Sequence, residues 1–100
     1  MSVSESKSRE VLVLDDDTVV LAALKETLER ERYKVDAYSK AKEALEGLDN
    51  HAYATIISDQ HMPGMTGLEF LDKCKQKQPN ASRILITGVL TLNTVIEAVN

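Results

Sequence analysis

Short apolar runs alternate along this chain with stretches whose hydrophobic residues recur at helical spacing. Val11-Leu12-Val13-Leu14 is a continuous apolar run, the mark of a strand covered on both faces of a parallel sheet. It stops at Asp15-Asp16-Asp17. Over residues 18–32 the period changes: Val20, Leu21, Leu24 and Leu28 share one stripe, with Lys25, Glu26, Glu29 and Arg30 opposite. That is an amphipathic helix. Residues 34–38 read as a second strand, and Ser39 is placed to cap a helix carrying Ala41, Ala44, Leu45 and Leu48 on one face. Residues 54–58 form a third strand that ends at Asp59, followed by a loop with Met62-Pro63-Gly64. Thr66-Gly67-Leu68-Glu69 then matches a capping box, with Met65 and Phe70 at the staple positions. On this helix Cys74 shares a stripe with Leu68 and Leu71 and reads as a small core residue. Residues 83–86 form a fourth strand reaching Thr87-Gly88, and Leu92, Val95, Ile96 and Val99 predict one more helix.

The order β-α-β-α-β-α-β-α with short connections predicts an α/β fold with a doubly wound parallel sheet. Polar sites in such sheets gather at the carboxyl ends of the strands, near the topological switch. Asp15 and Asp16 after the first strand, Asp59 after the third and Thr87 after the fourth all occupy that edge.

Composition narrows the classes. One hundred residues hold one small domain, and a net charge of −4 leaves no footprint for direct nucleic acid contact. The single cysteine excludes an intrachain disulfide and any multi-cysteine metal site, and fits a cytoplasmic setting. No apolar run approaches the roughly 20 residues that span a membrane. Residues 1–9 are Ser-rich, charged and almost without hydrophobes; they are expected to be a disordered N-terminal tail ahead of a domain at 10–100.

Clustered carboxylates repel one another, and a hard divalent cation such as Mg²⁺ removes that cost. With the charge so neutralised, one carboxylate can attack phosphorus and become an aspartyl phosphate.

Three segments carry a family resemblance. Val11 to Asp17 resembles the first strand and acidic pair of response regulator receiver domains. Residues 56–67, Ile-Ile-Ser-Asp-Gln-His-Met-Pro-Gly-Met-Thr-Gly, resemble their phosphoacceptor segment, and Ile84-Leu85-Ile86-Thr87-Gly88 their fourth strand with its switch threonine. The resemblance implies a flavodoxin-like fold with Asp59 as phosphoacceptor. It implies a Mg²⁺ ion held by Asp15, Asp16, Asp59 and the backbone carbonyl of His61, and a Thr87 hydroxyl that bonds the phosphoryl group and switches position. The chain would assist its own phosphorylation rather than act as an enzyme on other substrates. Implied partners are a sensor histidine kinase or phosphotransfer protein as donor and an output domain in the full-length protein.

The family continues into a fifth strand ending in a lysine, and no lysine follows Lys77 here. The expectation is therefore (βα)4 of the usual (βα)5, incomplete at its C-terminus, with an exposed 83–99 surface available for homodimerisation. Two other readings stand beside this one. Without that lysine Mg²⁺ can still bind but phosphoryl transfer is expected to be impaired, and the same fold can serve as a protein-interaction module that is not phosphorylated in this truncated form. Asp15-x-Asp17 after an apolar strand also resembles haloacid-dehalogenase-type phosphatases, with Asp15 as nucleophile and Asp17 as acid/base, but that leaves Asp59 and the Met-Pro-Gly loop without a role.

Overall fold

The structure, a computed structural model, describes residues 9–87. They form β1 (Glu10–Leu14), α1 (Thr18–Arg30), β2 (Lys34–Tyr38), α2 (Ala41–Asn50), β3 (Thr55–Asp59), α3 (Gly67–Lys77) and β4 (Ser82–Ile86). The strands make one parallel sheet in the order β2-β1-β3-β4. The fold class expected from the sequence is found. The helix expected from Leu92 to Val99 lies outside the described residues, as do residues 1–8 and the 88–99 part of the suggested dimer surface.

β1 and β3 are buried almost from end to end because both strands are interior. Leu12, Leu14 and Ile56 face one cluster with Ala44, Leu48, Phe70, Leu71 and Cys74. Val11, Val13 and Ile57 face the other, with Leu21, Leu24 and Leu28. Thus α1 covers one face of the sheet and α2 with α3 the other. β2 and β4 are the outer strands among the described residues, and Ile84 to Ile86 of β4 are only half-buried.

Several local expectations change. The helix predicted to Arg32 stops at Arg30, because Arg32 takes a positive φ of 71°. Arg9, assigned by sequence to the tail, is tied to the connection between α1 and β2: its guanidinium donates to the Glu31 and Arg32 carbonyls and lies 4.0 Å over the Tyr33 ring. Ser39 does not cap α2; Lys40 holds the N-cap position and makes no side-chain cap bond. Val20, expected in the core stripe, is 40% exposed beside Val19 at 78%. Leu68 is 61% exposed, whereas its supposed stripe partners Leu71 and Cys74 are buried. Both residues lie in the first turn of their helix; in α3 the buried positions of that turn are taken by Gly67 and Phe70, which leaves Leu68 facing outward. The capping box of α3 is present, with Glu69 N–H donating to Thr66 Oγ1 and Thr66 N–H to Glu69 Oε1.

Candidate functional site

The sheet order changes direction between β1 and β3, since the chain leaves β1 toward β2 and returns on its other side to β3. Leu14 pairs with Ser58, so Asp15 and Asp59 leave adjacent strands at the same level. Asp16 follows, exposed, in the β1–α1 turn. Carboxylate oxygens of Asp15, Asp16 and Asp59 all lie within 4.8 Å of one another. Asp15 is buried and Asp59 half-buried.

Asp17 points elsewhere. Its Oδ1 accepts the N–H groups of Val19 and Val20 at 3.0 and 3.3 Å, which makes it the N-cap of α1. The phosphatase reading needs this side chain as acid/base, and here it is committed to the helix backbone. Asp15 Oδ1 in turn accepts the Asp17 N–H at 2.9 Å, which fixes its rotamer.

The electrostatics follow from this crowding. Burial pushes the Asp15 carboxyl above the usual carboxylate range; the Asp17 N–H pulls it partly back, and the charges of Asp59, Asp16 and Asp17 raise it further. A carboxyl whose pKa is raised on folding favours the fold below its unfolded pKa, and that contribution is lost as pH rises through the folded value. At neutral pH the cluster is therefore destabilising without a cation. Asp15→Asn keeps the acceptor for Asp17 N–H and removes a charge. Without divalent ions it is expected to stabilise the chain by about 1 kcal/mol at pH 7, the scale of repulsion between carboxylates about 5 Å apart near solvent. Thermal melts across pH check this: the advantage should shrink in acid, where Asp15 itself carries a proton.

All three donors are hard carboxylate oxygens on one edge, with no sulfur or imidazole among the clustered groups. That set fits Mg²⁺ or Ca²⁺ rather than zinc or copper. His61 is exposed, two residues past Asp59 in the β3–α3 loop. Thr87 is exposed, directly after β4, whose Ile86 pairs with Asp59.

Sequence reasoning passed over three residues that hold Asp59. Ser58 is fully buried and its Oγ donates to the Asp59 carbonyl at 2.9 Å. Gln60 N–H donates to the Ile86 carbonyl at 3.0 Å, while its own carbonyl accepts Gly67 N–H at 3.1 Å. Gly67 lies so close that a Cβ there would stand 2.2 Å from the Asp59 carbonyl oxygen. Only Gly67 left a trace in the sequence, as a residue without a side chain inside a capping box.

Comparison with known proteins agrees with this geometry. Residues 11–100 match the response regulator receiver domain family. The chain belongs to that family. The hydrogenase transcriptional regulatory protein HoxA of Cupriavidus necator is 39% identical over 94% of this chain, which spans 19% of HoxA's length. Among solved structures, the response regulator TrrA of Thermotoga maritima in complex with Mg(2+)-BeF is 34% identical at a TM-score of 0.75, covering 81% of this chain and 70% of that one. A Burkholderia pseudomallei response regulator with a phosphorylated aspartic acid, calcium ion and citrate is 30% identical at a TM-score of 0.76, covering 91% of this chain and 54% of that one. This is a signalling domain, and the chain covers about a fifth of the first curated relatives it matches. No helix among the described residues is long and apolar enough to cross a membrane.

Proposed function

We propose that Asp59 accepts a phosphoryl group from the phosphohistidine of a sensor kinase or phosphotransfer protein, or from a small acyl phosphate. The observation that carries this is the meeting of the Asp59 carboxylate with those of Asp15 and Asp16 at the switch point of the sheet. An Asp59 oxygen attacks phosphorus; an O–P bond forms as the bond from phosphorus to the donor's imidazole nitrogen, or to its acyl oxygen, breaks. Asp15 and Asp16, with Asp59 itself and the His61 carbonyl, are the residues that would hold Mg²⁺, which when bound neutralises charge on the transferring oxygens. The Thr87 hydroxyl donates to a phosphoryl oxygen and carries the change into the segment after β4. In the full-length protein that change reaches an output domain, and we place the chain in the cytoplasm with its donor. Relatives with phosphorylated aspartate or with Mg(2+)-BeF support the reading.

The test is acyl phosphate treatment with and without Mg²⁺, read as intact mass. One added phosphoryl group that requires Mg²⁺ is expected. Mg²⁺ binding with no added mass would favour the interaction module instead.

The donor protein needs a surface beside the acceptor. Val19 and Val20 are large, exposed and contiguous, in the first turn after the acidic pair. Apolar exposure at the rim of a polar site suits the helices of a kinase. Val19→Ser with Val20→Ser is expected to slow transfer from the cognate kinase by about tenfold, the loss of roughly 1.4 kcal/mol of contact. Uptake from a small acyl phosphate should stay within twofold in the same variant, by the same mass assay.

A further inference from the structure

Gln60 is the residue after the acceptor, and it bonds to two other elements at once. Its N–H extends the β3–β4 ladder to the Ile86 carbonyl, one residue before Thr87. Its carbonyl and its side-chain Oε1 take the first two N–H groups of α3, from Gly67 at 3.1 Å and Leu68 at 2.9 Å. Thr66 takes the next two, through its Oγ1 for Glu69 and its carbonyl for Phe70. The start of α3 is thus closed jointly by the acceptor segment and by its own cap. The loop bridged by these bonds contains His61.

We infer that Gln60 is a positioning residue for phosphoryl transfer, its side-chain amide fastening the Asp59–His61 backbone to the first turn of α3. The inference rests on the reading of Asp59 as acceptor. A plain helix cap would act on stability alone, because Leu68 N–H is near the surface and water can replace the lost acceptor. A strap on the metal-binding loop acts instead on the geometry of the groups it holds. The backbone bonds of Gln60 are independent of its side chain, so substitution removes one strand of the strap and leaves the others.

Gln60→Met keeps the length and loses the acceptor; Gln60→Asn keeps the amide but is a methylene too short to reach Leu68. Gln60→Glu restores an acceptor at the same reach. Mg²⁺ affinity and the rate of phosphoryl uptake from acetyl phosphate at saturating Mg²⁺ would be measured for each variant in the whole chain. Met and Asn are expected to lower both by about tenfold, the lower end of effects seen when outer-shell partners of metal sites are removed. Glu should recover the saturated rate to within about twofold of wild type. If either folded variant, Met or Asn, lowers the melting temperature but leaves affinity and saturated rate as in wild type, Gln60 is only a cap and the inference falls. If wild type itself takes up no phosphoryl group, the functional reading fails. The Mg²⁺ titration then decides on Gln60 alone, with unchanged affinity overturning its role and weakened affinity supporting it.

Discussion

Asp59→Asn is expected to take up no measurable phosphoryl group from an acyl phosphate, a loss of about three orders of magnitude or more in rate. Asn has the shape of Asp, so the half-buried position at the end of β3 is filled as before. The neutral amide oxygen is a poor nucleophile, and no other clustered carboxylate shares Asp59's place on β3. Asp15 is turned onto the Asp17 N–H and Asp16 is exposed in the β1–α1 turn. Removing one of the clustered charges should also weaken Mg²⁺ binding while leaving the cation-free fold at least as stable as wild type. Intact mass, Mg²⁺ titration and thermal melts read the three consequences separately. The companion variant is Asp17→Asn. Asn is as good an N-cap as Asp, so α1 should keep its start and phosphoryl uptake should continue. A phosphatase built on Asp15 and Asp17 predicts the reverse pattern, with the acyl phosphate on Asp15 and Asp17→Asn inactive.

Much of this site is legible in the residues because strand ends are legible. β1 and β3 are interior strands, so their apolar runs end sharply, and the charged residues that follow must stand at the sheet's edge. Parallel pairing in register then brings Asp15 and Asp59 together without any further information. Legibility fails where a residue's environment is set by an element distant in sequence. Val20 and Leu68 obey the helical period yet are exposed, and periodicity carries no record of which side of a stripe a neighbouring element covers. Gln60 is one polar residue with no pattern around it. Its bonds to Ile86 and Leu68 exist only once β4 and α3 have docked. Asp17 stands where either a cap or a catalyst would, since both roles use a carboxylate after a strand, and only the direction of its Oδ1 separates them.

Gly67→Ala should damage both the fold and the site, although Gly67 carries no chemistry. A Cβ at this position would lie 2.2 Å from the Asp59 carbonyl oxygen, 2.8 Å from its carbon and 2.7 Å from Leu85 Cδ1. Two of those atoms are backbone in an interior strand, so the obstacle does not swing aside as a side-chain tip would. Either α3 retreats by about an ångström or the end of β3 shifts, and overpacking of this kind costs about 1–3 kcal/mol. In a domain of this size that corresponds to a fall in melting temperature of about 4–8 °C for each kcal/mol. Retreat of α3 also stretches the bonds from Gly67 and Leu68 to Gln60, and the acceptor loses its strap. Mg²⁺ affinity and the saturated rate of phosphoryl uptake are therefore expected to fall together by about tenfold, as for other displaced supports of a metal site. Gly64→Ala is the contrast. Gly64 has a φ of 85° but nothing within 4 Å of a Cβ. It should cost about 1 kcal/mol through left-handed backbone strain, while metal affinity and uptake stay as in wild type. If both alanines lowered stability and neither altered Mg²⁺ binding or uptake, the close approach of α3 would be packing alone. A selective loss in Gly67→Ala would instead show that the acceptor is held in place by the helix that follows it.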